Sequence, residues 1–155
     1  MQGSWDWELG DAIEELDSGL YLIDLGFQGR KEVVAAYLLV SDDDLALIET
    51  GPGSTIEHLD RAMKRLGFSF HDLTTVIVTH IHLDHAGAAG LIARENPTVK
   101  VYVHPFGAPH LIDPTKLINS ATRIYGDQMG PLWGAFEPIH PDQVVALEDD
   151  QTLRV

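Results

Sequence analysis

The chain reads Val76-Ile77-Val78-Thr79-His80-Ile81-His82-Leu83-Asp84-His85-Ala86-Gly87 at its middle. Apolar β-forming residues run into Thr79, and four side chains of the metal-binding type follow within six positions. Neutral imidazoles and ionised carboxylates are the usual ligands of zinc and related divalent ions. In a chain of this composition, chance would produce roughly 0.002 matches to this order of His and Asp. The stretch therefore predicts a metal site.

The spacing of these side chains predicts how they are grouped. At the end of an extended segment, His80 and His82 point to the same side because side chains alternate with period two. Asp84 and His85 follow where the strand must turn, so they can face a neighbouring point. Four ligands divided into two pairs suit two metal ions about 3.5–4 Å apart.

The segment from Thr79 to Gly87 resembles the His-x-His-x-Asp-His signature of the metallo-β-lactamase superfamily. Upstream, the run from Leu47 to Gly53 resembles that family's strand and glycine turn, and Asp72-Leu73 precedes the metal strand as it often does there. The resemblance covers about 21–103 well and the remainder loosely. It implies the amino-terminal half of an αββα sandwich, an α/β (α+β) fold with a mixed β-sheet and flanking helices.

The resemblance also implies roles for individual residues. His80 and His82 would hold the first of two zinc ions and Asp84 and His85 the second, with Asp84 also catalytic. Iron or manganese are alternatives, because His and Asp ligands select weakly among these metals. Thr79 and Glu49 would support the ligands from behind, although the family usually has Asp where this chain has Glu49.

The implied function is hydrolysis of a small acyl substrate. A metal-bound hydroxide would attack an ester, thioester, lactone or lactam carbonyl. In the family, a later half contributes two further histidines and a bridging aspartate, and this chain ends about where that half should begin. We therefore expect the chain alone to be a poor hydrolase. The alternative is a non-catalytic or weakly active metal-binding fragment that assembles with itself or with a missing carboxy-terminal half.

Several histidines and a helical region outside the motif are further candidates. His104 and His110 are the better candidates for a pocket wall, and His140 is a third histidine that could complete the site. His58 and His71 are predicted to be solvated. The region after Gly107 either shapes the substrate pocket, as in the resembling family, or forms an ordinary peripheral helix pair.

Composition limits the remaining possibilities. The 155 residues suit a single domain (1–155) with 45% apolar residues, enough for a hydrophobic core. Ten basic against twenty-four acidic residues give a net charge of −14, which disfavours nucleic acid as a partner. There is no cysteine, no apolar run long enough for a membrane span and no signal-peptide pattern at the start. A cytoplasmic location with no membrane partner is the expectation.

Hydrophobic periodicity and turn residues predict the order of secondary structure elements. Strands are predicted at 20–25, 33–40, 45–48, 76–79, 100–103, 144–147 and 152–155. Helices are predicted at 54–66, 86–95 and 115–125, the first with a capping box of Ser54 and Glu57 and the last with Leu117, Ile118, Ala121 and Ile124 inward. Residues 108–114 are predicted to be a loop.

The apolar run from Val33 to Val40 predicts association between chains. Half of a sandwich exposes the sheet face that its other half would cover, and large apolar patches mark association surfaces. We therefore predict that the chain is a homo-oligomer, with a dimer paired sheet to sheet as the simplest form.

Overall fold

A seven-stranded mixed sheet organises the computed structural model, which describes residues 12–154. Its strands follow chain order across the sheet: β1 Ile13–Asp17, β2 Leu20–Asp24, β3 Ala35–Val40, β4 Leu45–Ile48, β5 Thr75–Ile77, β6 Lys100–Val103 and β7 Val144–Ala146. The first four strands pair antiparallel, and β4 to β7 pair parallel. This mixed sheet with flanking helices confirms the predicted α/β class.

Six α-helices accompany the sheet within residues 12–154. They are α1 Ile56–Arg65, α2 Leu83–Ala86, α3 Ala89–Glu95, α4 Ala108–Ile112, α5 Thr115–Tyr125 and α6 Met129–Trp133. Helix α1 lies in the connection between the parallel strands β4 and β5. Helices α2 and α3 lie in the connection between the parallel strands β5 and β6. Within residues 12–154, no helix is both long enough and apolar enough to cross a membrane.

One face of the sheet carries the hydrophobic core. Register partners such as Leu38, Leu47, Val76 and Val101 point to this face, and all are fully buried. They belong to one cluster with the inner faces of α1 and α3, including Leu59, Met63 and Ile92.

The opposite face of the sheet, which we call the open face, carries an apolar row. Successive register partners place one residue from each of six neighbouring strands side by side. The row consists of Leu22, Tyr37, Ile48, Ile77, Tyr102 and Val145. Every member is only half-buried, whereas Leu38, Leu47, Val76 and Val101 on the core face are buried completely. The sheet thus has one covered and one incompletely covered apolar face.

Four predicted elements agree with the structure to the residue or nearly so. The predicted strands at 45–48 and 100–103 are β4 and β6, and the predicted helix at 115–125 is α5. The predicted strand at 144–147 is β7, which ends one residue earlier. The predicted strand at 33–40 begins at Ala35, and Val33 is half exposed at 50%.

Other predictions were wrong, and the differences have physical reasons. Residues 152–154 form no strand, and Val155 lies outside the described residues. The predicted loop at 108–114 contains α4, in which Pro109 occupies the first turn, where proline is tolerated. The strand β1 was not predicted, because its acidic sequence at the sheet edge has no apolar alternation. Ile124 was predicted to point inward, yet it is 75% exposed.

The start of α1 also differs from its prediction. The capping box of Ser54 and Glu57 does not form, since the Ser54 hydroxyl donates to the carbonyl of Leu132 at 2.6 Å and the helix begins at Ile56. A capping box is present instead before β5. There Asp72 accepts hydrogen bonds from the backbone N–H and the hydroxyl of Ser69, at 2.7 and 2.8 Å.

Asn96 is the buried polar residue that ties α3 to the start of β5. Its amide donates to the carbonyls of Phe70 and Leu73, each at 2.9 Å, and its side-chain oxygen accepts from Thr98. The residue is only 3% exposed, so water cannot replace these bonds. Asn96 therefore links the end of α3 to the segment 70–73, which lies about 25 residues earlier in the chain.

We expect Asn96→Ala to lower the free energy of unfolding by about 2–4 kcal/mol, since it leaves two or more buried polar groups without partners. Urea denaturation followed by circular dichroism measures the effect. The matched control is Asn119→Ala on the exposed side of α5, which should change stability by no more than about 0.5 kcal/mol. Equal midpoints for the two variants would contradict the prediction.

Candidate metal centre

The predicted ligands lie where β4 and β5 end at the same edge of the sheet. Because these strands are parallel and in register, the loops that follow them leave the sheet side by side. The N–H of Glu49 donates to the carbonyl of Ile77 at 2.8 Å, and the N–H of Val78 donates to Tyr102 at 3.0 Å. The metal-type residues follow this anchored point directly.

The structure brings His80, His82, Asp84 and His85 together, and we call these four residues the ligand cluster. The rings of His80 and His82 are 4.7 Å apart between centroids, and those of His80 and His85 are 4.0 Å apart. The Asp84 Oδ2 atom lies 3.3 Å from Nε2 of His85. Since His80 and His82 are exposed and the other two residues are half-buried, a solute can reach the cluster.

The local backbone of the cluster differs from its prediction. Asp84 and His85 were expected in a turn, but they lie in α2, which begins immediately after His82. His80 contacts His85 as well as His82, so the ring contacts do not separate two pairs. The assignment of two ligands to each ion therefore stays a prediction.

The donor set suits a divalent metal by its chemistry. Three imidazoles and one carboxylate within six positions are ligands of zinc, iron and manganese. Among residues 12–154, however, no three His, Asp or Glu side chains converge on one point where an ion could be held. The imidazole rings contact each other instead.

Glu49 supports the ligand cluster from the neighbouring loop. Its carboxylate is buried, with Oε1 accepting from the N–H of Thr79 at 3.2 Å and Oε2 lying 3.3 Å from Nδ1 of His85. The Thr79 hydroxyl in turn lies 3.0 Å from Nδ1 of His80. Glu49 and Thr79 thus contact two rings of the ligand cluster, while their role as supporting residues stays a prediction. Such contacts fix ring orientation and tautomer at metal sites.

The backbone at Glu49 is itself unusual. Its φ angle is +62°, a left-handed conformation that costs a non-glycine residue on the order of 1–3 kcal/mol. Gly51 follows with a φ of +69°, and a Cβ atom there would collide with the side chain of Leu25. The left-handed backbone and the close approach of Leu25 together favour glycine at this position, which follows Glu49 and Thr50 directly.

Thr50 is a supporting residue that the sequence analysis missed. It is fully buried, and both its N–H and its hydroxyl donate to the carbonyl of His85, at 2.8 and 2.9 Å. The hydroxyl also accepts from the N–H of Ala88 at 3.2 Å. These bonds fix α2 to the loop after β4. The only sequence signal was its position between Glu49 and the glycine turn.

The electrostatics of the cluster favour neutral imidazole at His80. Although His80 is exposed, partial loss of water around its ring lowers its pKa below the usual value, and the neighbouring His85 and His82 lower it further. A neutral ring keeps the nitrogen lone pair that a metal requires. At neutral pH the ring is therefore in the form that binds cations.

Three cavities adjoin the ligand cluster. One of about 330 Å³ runs from His82 and Asp84 along α5. A second of about 310 Å³ is bounded by Tyr37, Glu49, Asp84 and His85, beside the open face. The region after Gly107, for which two interpretations were open, therefore contributes a wall to a cavity at the cluster.

The third cavity contains the two predicted wall histidines. His104 and His110 line a space of about 360 Å³ that also touches His80 and the highly exposed Phe106. His104 accepts from the N–H of Phe106 through Nδ1 at 3.2 Å. Both histidines thus lie beside the cluster, while their functional role stays a prediction.

The remaining histidines lie elsewhere. His140 is exposed and accepts from the N–H of Asp142 at the start of a short 3-10 helix, a structural role. His71 is exposed as predicted and lies 3.7 Å from Glu95. The prediction of a solvated His58 was wrong: it is half-buried, and burial followed by the nearby Arg61 lowers its pKa.

The chain is similar in sequence to known proteins. Residues 29–153 match the model of the family described as the metallo-beta-lactamase superfamily. Ribonuclease Z of Streptomyces coelicolor is 43% identical over 61 residues, which are 39% of this chain and 19% of that protein.

Solved structures show that the fold is shared with known proteins. A metallo-beta-lactamase of Elizabethkingia meningoseptica is 24% identical with a TM-score of 0.66, over 100% of this chain and 50% of that chain. A beta-lactamase of Chitinophaga pinensis is 23% identical with a TM-score of 0.67, over 100% of this chain and 51% of that chain. The chain thus spans about half the length of these structures.

Proposed function

Because the chain belongs to the metallo-beta-lactamase superfamily, a family of metal-dependent hydrolases, we propose that it contributes the metal-binding half of such a hydrolase. The observation that carries the proposal is the ligand cluster, four metal-type side chains gathered at the carboxyl ends of parallel strands and supported by a buried carboxylate. His80, His82, Asp84 and His85 would hold zinc, with iron or manganese as alternatives. When bound, the metal supplies Lewis-acid activation of water and of the attacked carbonyl.

The protein residues have separate roles in this proposal. Glu49 and Thr79 orient the rings of His85 and His80, through the contacts at 3.3 and 3.0 Å. Asp84 acts as a ligand and as the carboxylate that orients the attacking water. His104 and His110 form a wall beside His80. No nucleophilic serine or cysteine is required for this reaction.

The proposed substrate is a small molecule with an ester, thioester, lactone or lactam carbonyl. The ribonuclease Z relative suggests a phosphodiester of RNA as a second candidate. A net charge of −14 argues against it, since nucleic acid binding depends on neutralising phosphates with Lys and Arg. We therefore favour the acyl substrate. We also propose that the chain binds neither nucleic acid nor a membrane. The cytoplasmic location expected from the sequence stays a prediction.

A partner for the open face is part of the proposal. The cavity bounded by Tyr37, Glu49, Asp84 and His85 connects the apolar row to the ligand cluster. A layer packed on that row would close the cavity and could add ligands to Asp84 and His85. We propose that a second copy of this chain occupies the face when the 155 residues are alone in solution. The competing view is a weakly active metal-binding fragment that needs a carboxy-terminal half.

Hydrolysis assays test the proposed reaction. The chain is reconstituted with Zn²⁺, Mn²⁺ or Fe²⁺ and offered an ester, a thioester, a lactone, a lactam and a short RNA. We expect slow metal-dependent hydrolysis of acyl substrates, because the ligand set is incomplete. The turnover number should lie below about 1 per second, which is the lower end of the usual range for enzymes. Asp84→Ala should abolish this turnover, while the control His71→Ala should not change it.

Each other outcome changes the assignment. Cleavage of RNA without acyl hydrolysis would replace the proposed substrate class. Absence of metal-dependent turnover with every substrate would leave a metal-binding fragment. Turnover at 1–10³ per second would show that residues 1–155 complete the site, and His104 and His110 would then be the first residues to replace.

A further inference from the structure

The apolar side of α5 faces a groove rather than the core. Leu117, Ala121, Ile124 and Tyr125 follow the spacing of one helical face. A surface helix normally buries such a stripe, but here only Ala121 is buried and Ile124 is 75% exposed. The helix therefore presents an apolar surface to open space, beside the loop that carries the ligand cluster.

Aromatic side chains support the far wall of this groove. Tyr125 contacts Trp133 edge to face with ring centroids 5.2 Å apart, and Trp133 stacks on Phe27 at 5.4 Å. These contacts join α5 to α6 and to the loop after β2, so the wall consists of rings that hold one another in place. Pairs of this kind are worth about 0.5–1.5 kcal/mol beyond their burial. The groove thus has a wall of mutually packed rings and encloses a volume of about 330 Å³.

The near end of the groove is the ligand cluster itself. His82 and Asp84 line it together with the apolar residues of α5. When the reacting carbonyl of a molecule lies at the cluster, a substituent that extends along the groove contacts α5 and Trp133. The volume lies within the range of about 300–1,000 Å³ for small-molecule sites.

The charge of the groove restricts the substituent that fits. Of the described residues that line it, none is Lys, Arg or Glu, and Asp84 is the single carboxylate. Along the α5 wall, beyond the ligand cluster, an anionic group would meet no Lys or Arg, and the net charge of −14 would repel it. An uncharged apolar chain gains from leaving water along Leu117, Ile124 and Tyr125.

We propose that this groove binds the uncharged, apolar acyl chain of the substrate, with Ile124 and Leu117 as residues that determine specificity. The proposal rests on the proposed function, because it deepens the substrate class of the same site. It predicts a preference for medium-length alkyl acyl groups over short or charged ones. A polypeptide is a poorer occupant, since the groove is short and ends at the polar cluster.

Binding of N-butyl-, N-hexyl- and N-octylacetamide to the metal-free chain tests this inference without any reaction. These probes are uncharged and are followed through the indole N–H signal of Trp133 in NMR spectra. Complete burial tightens Kd about fourfold per methylene. We therefore expect each two-carbon extension to lower Kd about 4- to 15-fold, the lower value applying to a chain left half in water.

Ile124→Glu should weaken the binding of N-octylacetamide at least tenfold and remove the shift of the Trp133 signal that the probe causes. Because Ile124 is largely exposed, this change should leave the fold intact. The matched control is Leu16→Glu, at an exposed apolar residue of β1 (47%), which should leave Kd unchanged. A Kd independent of chain length, or unaffected by Ile124→Glu, would overturn the inference.

The outcomes separate this inference from the proposed function. Chain-length-dependent binding without any acyl hydrolysis would preserve the groove assignment and reject the reaction. Acyl hydrolysis with no preference among butanoyl, hexanoyl and octanoyl esters, together with absent probe binding, would preserve the reaction and reject the groove.

Discussion

Replacing both His80 and His82 by alanine is expected to weaken binding of Zn²⁺ and Mn²⁺ by at least about 100-fold. The reason is that two of the three clustered imidazoles disappear, and the remaining His85 and Asp84 cannot hold an ion alone. Equilibrium dialysis followed by elemental analysis measures bound metal per chain. Removing a supporting contact from behind a ligand costs about 10–100-fold, so Glu49→Gln should give an intermediate loss.

The control for this experiment removes two other histidines. The double variant His71→Ala, His140→Ala keeps the ligand cluster and loses the same number of imidazoles from exposed positions. It should bind metal like the parent. If the parent takes up no divalent metal under any reconstitution condition, the cluster in this chain is a remnant and the proposed function fails with it.

The second large effect concerns the open face. We expect the 155-residue chain to sediment at micromolar concentration as a species of twice its own mass. Six half-buried apolar side chains lie in one row on this face, and burying an apolar side chain fully is worth about 1.5–3 kcal/mol. If each of these residues in both copies gains only half of that free energy, the total gain is comparable to the estimated cost of association, about 4–15 kcal/mol. A dimer of moderate affinity follows.

A charge in the middle of the row should separate the copies. Tyr37→Lys places an ammonium group between Leu22 and Ile48, so the variant should sediment as a monomer. The control Ile124→Lys changes an exposed residue off the sheet and should remain a dimer, with urea midpoints used to verify that both variants fold. A parent monomer that binds no hydrophobic dye would show that the chain covers this face itself.

Local patterns were sufficient for much of this structure. The strands β4 and β6 and the helix α5 could be predicted to the residue, because each has a clear apolar period bounded by turn residues or prolines. The ligand cluster could be predicted for a similar reason. Its four side chains lie within six positions, so any compact path of the chain after β5 keeps them near one another.

The elements that were missed depend on partners distant in sequence. Ser54 has the right spacing for a capping box, but Leu132, 78 residues away, provides a better acceptor for its hydroxyl. His58 occupies a polar helix position, yet packing near Arg61 and Asp24 buries half of it. The strand β1 forms by pairing with β2 and not through its own apolar content. In each case a tertiary contact outweighed a weak local preference.

The sequence by itself determined the family, the α/β class and the identity of the candidate ligands, because all three depend on short contiguous patterns. Only the tertiary structure decided what surrounds them. The support of His85 by Glu49 and Thr50 requires β4 and β5 to be neighbours in register. The groove likewise exists because α5 and α6 pack through Tyr125 and Trp133 beside α2. The contacts of Glu49 and Thr50 with His85 join residues about 35 positions apart in the chain, and no local periodicity encodes them.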